Sequence, residues 1–244
     1  MTQQIRFEPN TKMIDVIDSN YLLLPIISRF GIKLGFGDQT VAKICQKNNI
    51  HTSFFLDILN AYNDNSSYPE EQIQANEPEL VVDYLIKTHQ YYKENYIPDI
   101  EFMIQNLLTS CPTGCENLEL IKNFYKQYKE ELEHHLQNEE DRFFPYLKAL
   151  VNNEPLSGDI KSLQENFSFS YHEHSDEHDN VLLKLLDLKN IIIKYLPPDY
   201  DQEKCNKLLH WIYVFEQDLQ DHEKLEDQIL IPALKKLEDG YQKS

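Results

Sequence analysis

Glycine is scarce in this 244-residue chain, with six residues, and the long segments carry helical rather than alternating periodicity. That combination argues against a β-fold and predicts an almost entirely α-helical protein. Cysteine is also sparse. Cys45, Cys111, Cys115 and Cys205 are too few and too scattered to build a disulfide scaffold in a chain this long, and they fit a reducing cytoplasm. Positive charge is deficient, with 23 Lys and Arg against 41 Asp and Glu, for a formal charge of −18. A surface this acidic repels phosphate backbones and argues against nucleic-acid binding. Long hydrophobic runs are missing as well. Stretches such as Tyr21-Leu-Leu-Leu-Pro-Ile-Ile fall far short of the roughly 20 residues needed to span a bilayer, so no membrane association is expected. The first residues, Met1-Thr-Gln-Gln-Ile-Arg, show no basic region followed by a hydrophobic stretch, so export is not expected either.

What the chain does have is one phrase written twice: His135-Leu-Gln-Asn-Glu139-Glu-Asp-Arg-Phe-Phe-Pro145 and His222-Glu-Lys-Leu-Glu226-Asp-Gln-Ile-Leu-Ile-Pro232. Each places a carboxylate four residues after a histidine, then an apolar pair, then a proline. Residues four apart on an α-helix share a face. Two such imidazole–carboxylate sets are what a pair of transition-metal ions inside a helical bundle requires.

The organisation supports that reading. Residues 1–62 form a small helical N-terminal domain, with short amphipathic helices around Ile14-Val16-Ile17, Leu22–Ile27, Val41–Ile44 and Phe54–Leu59. Gly31, Gly35 and Gly37 break its middle, and Asp38 or Thr40 is positioned to cap the helix that follows. Residues 63–78 are polar and read as a linker. Residues 79–244 hold four long helices, at about 79–108, 117–150, 168–195 and 201–238, joined by short or moderate loops that favour an up-down-up-down four-helix bundle. Pro98, Pro145 and Pro232 fall inside these spans, where kinks or early ends are expected.

Nearly equal spacings separate His89 from His135 and His178 from His222. Each helical hairpin is therefore expected to bring a lone histidine opposite a His-x-x-x-Glu set. The expected ligands are His89, His135, Glu139, His178, His222 and Glu226. His174 and Glu177 serve as additional ligands or as hydrogen-bond partners that orient the imidazoles. Imidazole and carboxylate donors suit iron, manganese or zinc. The plainer reading of a single His-x-x-x-Glu is a solvated helix pair. Against it, both histidines lie on apolar stripes, where a buried carboxylate demands a cation. His134 is expected to face solvent, and His51 and His210 to be incidental. Cys111-Pro-Thr-Gly-Cys115 reads as two thiols in a turn, its spacing being unlike a zinc or redox pair. Tyr92, Tyr96 and Tyr128 near the metals read as core aromatics or as radical carriers.

These phrases, together with Glu177-His178-Asp179, resemble the hemerythrin-like bundle. More narrowly the chain is similar to the di-iron "repair of iron centres" proteins, because residues 11–62 also look like that family's helical N-terminal domain: Val16-Ile17, Pro25-Ile26, Phe30-Gly31-Ile32, Thr40-Val41-Ala42 and Leu59. The resemblance implies a cytoplasmic non-haem di-iron centre bridged by Glu139, Glu226 and an oxo group. It also implies a role in restoring iron–sulfur clusters damaged by nitric oxide or oxidants, with iron–sulfur proteins as clients; pairing of two chains into a homodimer is left open by the sequence. The alternatives are an oxygen or nitric oxide sensor or carrier, and an enzyme such as a peroxidase or nitric oxide reductase. The chain departs from that family where adjacent cysteines usually stand, having Leu34-Gly35. It has Gln90 beside His89, and Cys111 where a further helix-one histidine is usual, which makes Cys111 a candidate ligand.

Overall fold

The computed structural model describes residues 6–63, 78–110, 116–152, 171–196 and 199–241, with the side chains of 116–117, 171–179 and 240–241 outside the description. Most of the expected linker and the first two inter-helix loops, including Cys111 and Cys115, lie outside the described residues. Contacts divide the chain into two compact units, Met1–Lys87 with Gln228–Ser244, and Thr88–Asp227. Every named element among the described residues is helical, and no helix among them is long and apolar enough to cross a membrane.

The first unit holds α1 (Met13–Ser19), a 3₁₀ turn (Tyr21–Leu23), α2 (Leu24–Arg29), α3 (Val41–Lys47), α4 (Thr52–Asn63), the start of α5 (Pro78–Tyr91) and α11 (Ile231–Tyr241). Thr40, not Asp38, caps α3: its hydroxyl accepts from the Lys43 N–H at 3.4 Å, while Asp38 pairs with Lys12 at 3.1 Å. Gly31, Gly35 and Gly37 all take positive φ, at 76°, 97° and 59°, conformations that strain any residue with a Cβ. The chain thereby turns between α2 and α3. Phe30 stacks on Tyr84 at 5.1 Å and meets Phe55 edge-on at 4.8 Å. Ile14, expected inside with Val16, is 41% exposed. Met13 and Val16, three apart, take the inner face of this short helix, and Ile14 is rotated away from it.

The second unit contains the end of α5, α6 (Ile97–Thr109), α7 (Glu116–Asn138), α8 (Phe144–Val151), α9 (Tyr171–Tyr195) and α10 (Gln202–Leu225). Asp201 caps α10 by accepting from the Lys204 N–H at 3.1 Å. α6 packs on α7 and α10, and α9 packs on the same two helices. This closed ring is an all-α bundle of up-down-up-down form, cored by Ile104, Ile121, Leu132, Leu185, Leu208 and Ile212.

The prolines do not end their helices. Three π-helical turns, Tyr92–Tyr96, Glu139–Phe143 and Glu226–Leu230, each begin six residues before Pro98, Pro145 or Pro232. In an α-helix the proline ring collides with the carbonyl four residues back. A wider turn moves that carbonyl aside. The residue before the proline bonds five back instead of four: the Ile97 N–H donates to the Tyr92 carbonyl and the Phe144 N–H to the Glu139 carbonyl. The helix therefore runs through each proline carrying one extra residue.

Candidate metal centre

Burial of apolar stripes sets the register that carries the polar groups inward. On α7, Tyr128 and Leu132 lead to His135 and Glu139; on α10, Phe215 and Leu219 lead to His222 and Glu226; on α5, Val81 and Leu85 lead to His89. Once these neighbours are buried, the imidazoles and carboxylates on the same faces follow them inside. Glu139 and Glu226 are the first residues of their π turns.

His89 Nε2 lies 2.8 Å from His222 Nε2 and 3.3 Å from Glu139 Oε2. His135 Nε2 lies 2.9 Å from Glu139 Oε1, and His222 Nε2 lies 3.9 Å from Glu226 Oε1. One donor atom from each of His89, Glu139, His222 and Glu226 falls within 4.8 Å of the others, and none of the four residues is more than 2% exposed.

Glu140 supplies the outer support. Its Oε1 meets His89 Nδ1 at 2.9 Å and Lys93 Nζ at 3.0 Å. Hydrogen bonding from His89, and then from Lys93, holds the Glu140 carboxyl below its usual range despite partial burial. An ionised carboxylate only accepts, so His89 donates from Nδ1, and its Nε2 is directed toward His222 and Glu139. Burial alone would push the His89 imidazole down. Hydrogen bonds to Glu139 and Glu140 outweigh that penalty and raise its pKa above the ordinary histidine value.

The donor set fits a metal. Two carboxylates at or below 2% exposure need a cation close by, or a proton in its place. The available donors are nitrogen and oxygen without thiolate, which matches iron, manganese or zinc. An imidazole fixed through its far nitrogen by a carboxylate is the usual support for a metal-binding histidine. Glu139 turns one oxygen to His135 and the other to His89, the disposition of a carboxylate shared between two positions.

A family model described as hemerythrin HHE cation-binding domain matches residues 81–234. The chain belongs to the hemerythrin HHE family. No curated protein matches it.

Within this hemerythrin HHE domain, His89, Glu139, His222 and Glu226 come together and His135 stands beside Glu139. His89, expected opposite the His135-x-x-x-Glu139 set of its own hairpin, lies 3.3 Å from Glu139 and also reaches His222 at 2.8 Å. The side chains of His174, Glu177 and His178 on α9, and all of Cys111, lie outside the described residues. His134 is exposed and meets Asn138 at 3.1 Å; His51 and His210 are exposed too. Two groups escaped the sequence reading. Glu140 was visible only as a second acid beside Glu139. Asp218, one turn before His222 and 6% exposed, accepts from the Tyr92 hydroxyl at 3.1 Å.

Proposed function

We propose that the protein is a cytoplasmic non-haem di-iron protein that restores iron–sulfur clusters damaged by nitric oxide or oxidants. The observation that carries the metal reading is the buried convergence of His89, Glu139, His222 and Glu226, with Glu139 facing a different imidazole through each oxygen. The repair role draws its support from the likeness of residues 11–62 to the N-terminal domain of the repair proteins.

His89, His222 and Glu226 would hold one ion, His135 with ligands from α9 would hold a second, and Glu139 would be shared. Bound iron supplies reversible one-electron chemistry and a position for a diatomic ligand. The chain's own groups do the rest. Glu140 keeps His89 protonated at Nδ1 and correctly turned. Phe144 packs against His89 at 5.4 Å, Tyr92 packs against His222 at 5.8 Å, and these rings help exclude water. A dry site strengthens every charge interaction inside it.

Iron per chain and the Mössbauer signature of a coupled pair test the centre. Recovery of aconitase-type activity in nitric-oxide-damaged extracts tests the role. Protein that binds two irons but restores no cluster overturns the repair reading. Reversible spectral change with oxygen or nitric oxide in that case moves the assignment to a sensor or carrier. Protein that takes up no metal overturns both.

A further inference from the structure

We propose that Tyr92, Tyr96 and Trp211 form a redox chain linking the centre to solvent, with Asp218 taking the proton of Tyr92. The centre's redox role rests on the iron reading above; the chain itself stands on its own geometry.

The Tyr92 ring lies 5.8 Å from the imidazole of His222, Tyr96 lies 5.9 Å from Tyr92, and Trp211 lies 5.7 Å from Tyr96, centroid to centroid. Each step is an aromatic contact, and electron tunnelling falls exponentially with edge separation, so such contacts make fast steps. Phe215, which is far harder to oxidise, packs on both tyrosines at 5.2 and 5.1 Å. The series runs from Tyr92 and Tyr96, both fully buried, to a half-buried Trp211, the one tryptophan in the chain.

Packing of core aromatics accounts for the contacts. Beside Tyr92 a carboxylate, that of Asp218, accepts from the phenol at 3.1 Å and is placed to receive its proton. That carboxylate has a use in oxidation, because a phenol loses an electron readily only when its proton has somewhere to go. Tyr128 provides the contrast: it is equally buried, yet its hydroxyl has no hydrogen-bond partner among the described residues.

The step balances as follows. Once a peroxide-class oxidant had oxidised the centre, Tyr92 would give it one electron and its phenolic proton to Asp218, leaving a neutral tyrosyl radical. Trp211 returns an electron to Tyr92 through Tyr96, and Asp218 returns the proton. The Trp211 radical cation is then reduced by a soluble one-electron donor of the thiol or ascorbate class. The net result is one electron moved from that donor to the centre with no proton consumed. The chain would drain oxidising equivalents that otherwise attack the ligands.

The test uses the full-length, metal-free protein, so its outcome is independent of iron loading. A ruthenium–bipyridine sensitiser is attached to exposed His210, beside Trp211, with His210→Gln as the labelling control. Flash oxidation should give a tryptophan radical that decays into a neutral tyrosyl signal, read by transient absorption and electron paramagnetic resonance. Tyr92→Phe should abolish the tyrosyl signal, Trp211→Phe should slow its appearance, and Asp218→Asn should suppress it, with helix content unchanged in each. The chain is refuted if Trp211 and Tyr92 exchange no oxidising equivalent, read as a tryptophan signal whose lifetime is the same in the parent and in Tyr92→Phe, or if the tyrosyl signal survives Tyr92→Phe. An Asp218→Asn variant that forms the signal at the parent rate removes Asp218 from the scheme.

Discussion

The two copies of the His-x-x-x-Glu phrase are equivalent in sequence and unlike in the fold. In the α7 copy, His135 closes directly on its own glutamate at 2.9 Å, and that glutamate turns its second oxygen to His89. In the α10 copy, His222 stands 3.9 Å from Glu226 and makes its short contact with His89 instead. Among the described residues, the histidine from α5 is what sets the two copies apart. The α7 glutamate meets two imidazoles, at 2.9 and 3.3 Å, and the α10 glutamate stands 3.9 Å from His222. The lesson is that a repeated motif dictates which groups face inward, and that the partner arriving from a third helix dictates what each copy does.

Unequal losses on replacing the two glutamates would sharpen that contrast most. Glu139→Gln should abolish binding of both ions, and Glu226→Gln should leave residual binding, measured as metal per chain. Equal metal loss from both variants would mean that the two glutamates serve the ions alike, as in a pair bridged by both.

Next come the prolines. Pro145→Ala and Pro232→Ala should relieve the need for a π turn and return the helix to a regular path. Interior proline costs a helix about 3 kcal/mol relative to alanine, much of it already absorbed by the π turn, so the variants should unfold no lower than the parent. Their metal affinity should fall by roughly ten- to hundredfold, the range seen when a group that aims a ligand is lost. A variant with unchanged affinity would show that the π turns do not aim Glu139 and Glu226.

Glu140→Gln should weaken metal binding by about tenfold, the low end of that range, because an amide still reaches His89 Nδ1 without fixing its proton. Its effect should fall on the ion held by His89 and spare the one beside His135, resolved by stepwise titration.

The smallest effect is expected away from both copies. Burial pushes the Cys45 thiol up to about 11, so thiolate accumulates only as pH approaches that value. At pH 8 the folded protein should resist iodoacetamide at Cys45, and denaturant should release rapid labelling, read by mass spectrometry. Fast labelling of folded protein would restore the prospect of thiol chemistry in a domain that lacks adjacent cysteines.

Much of the fold was legible because it is local. Helix ends came within a few residues, since 3.6-residue periodicity and turn residues are properties of short segments. The prolines misled because kink or termination is the ordinary result, and the third outcome, a π turn, leaves its trace only as a recurrent six-residue offset. Asp218 was hidden because its partner Tyr92 is remote in sequence, and Ile14 because a seven-residue helix has room for one buried stripe.

By itself the sequence determined an acidic helical chain in which two imidazole–carboxylate sets lie on apolar stripes. Helix geometry fixes which residues share a face whatever surrounds them. Only the tertiary structure decided that His89 meets His222, that Glu139 divides its oxygens between two imidazoles, and that Glu140 holds the far side of His89. Those choices depend on how helices settle against one another, and ångström-scale packing between distant segments is not written in the spacing of any one of them.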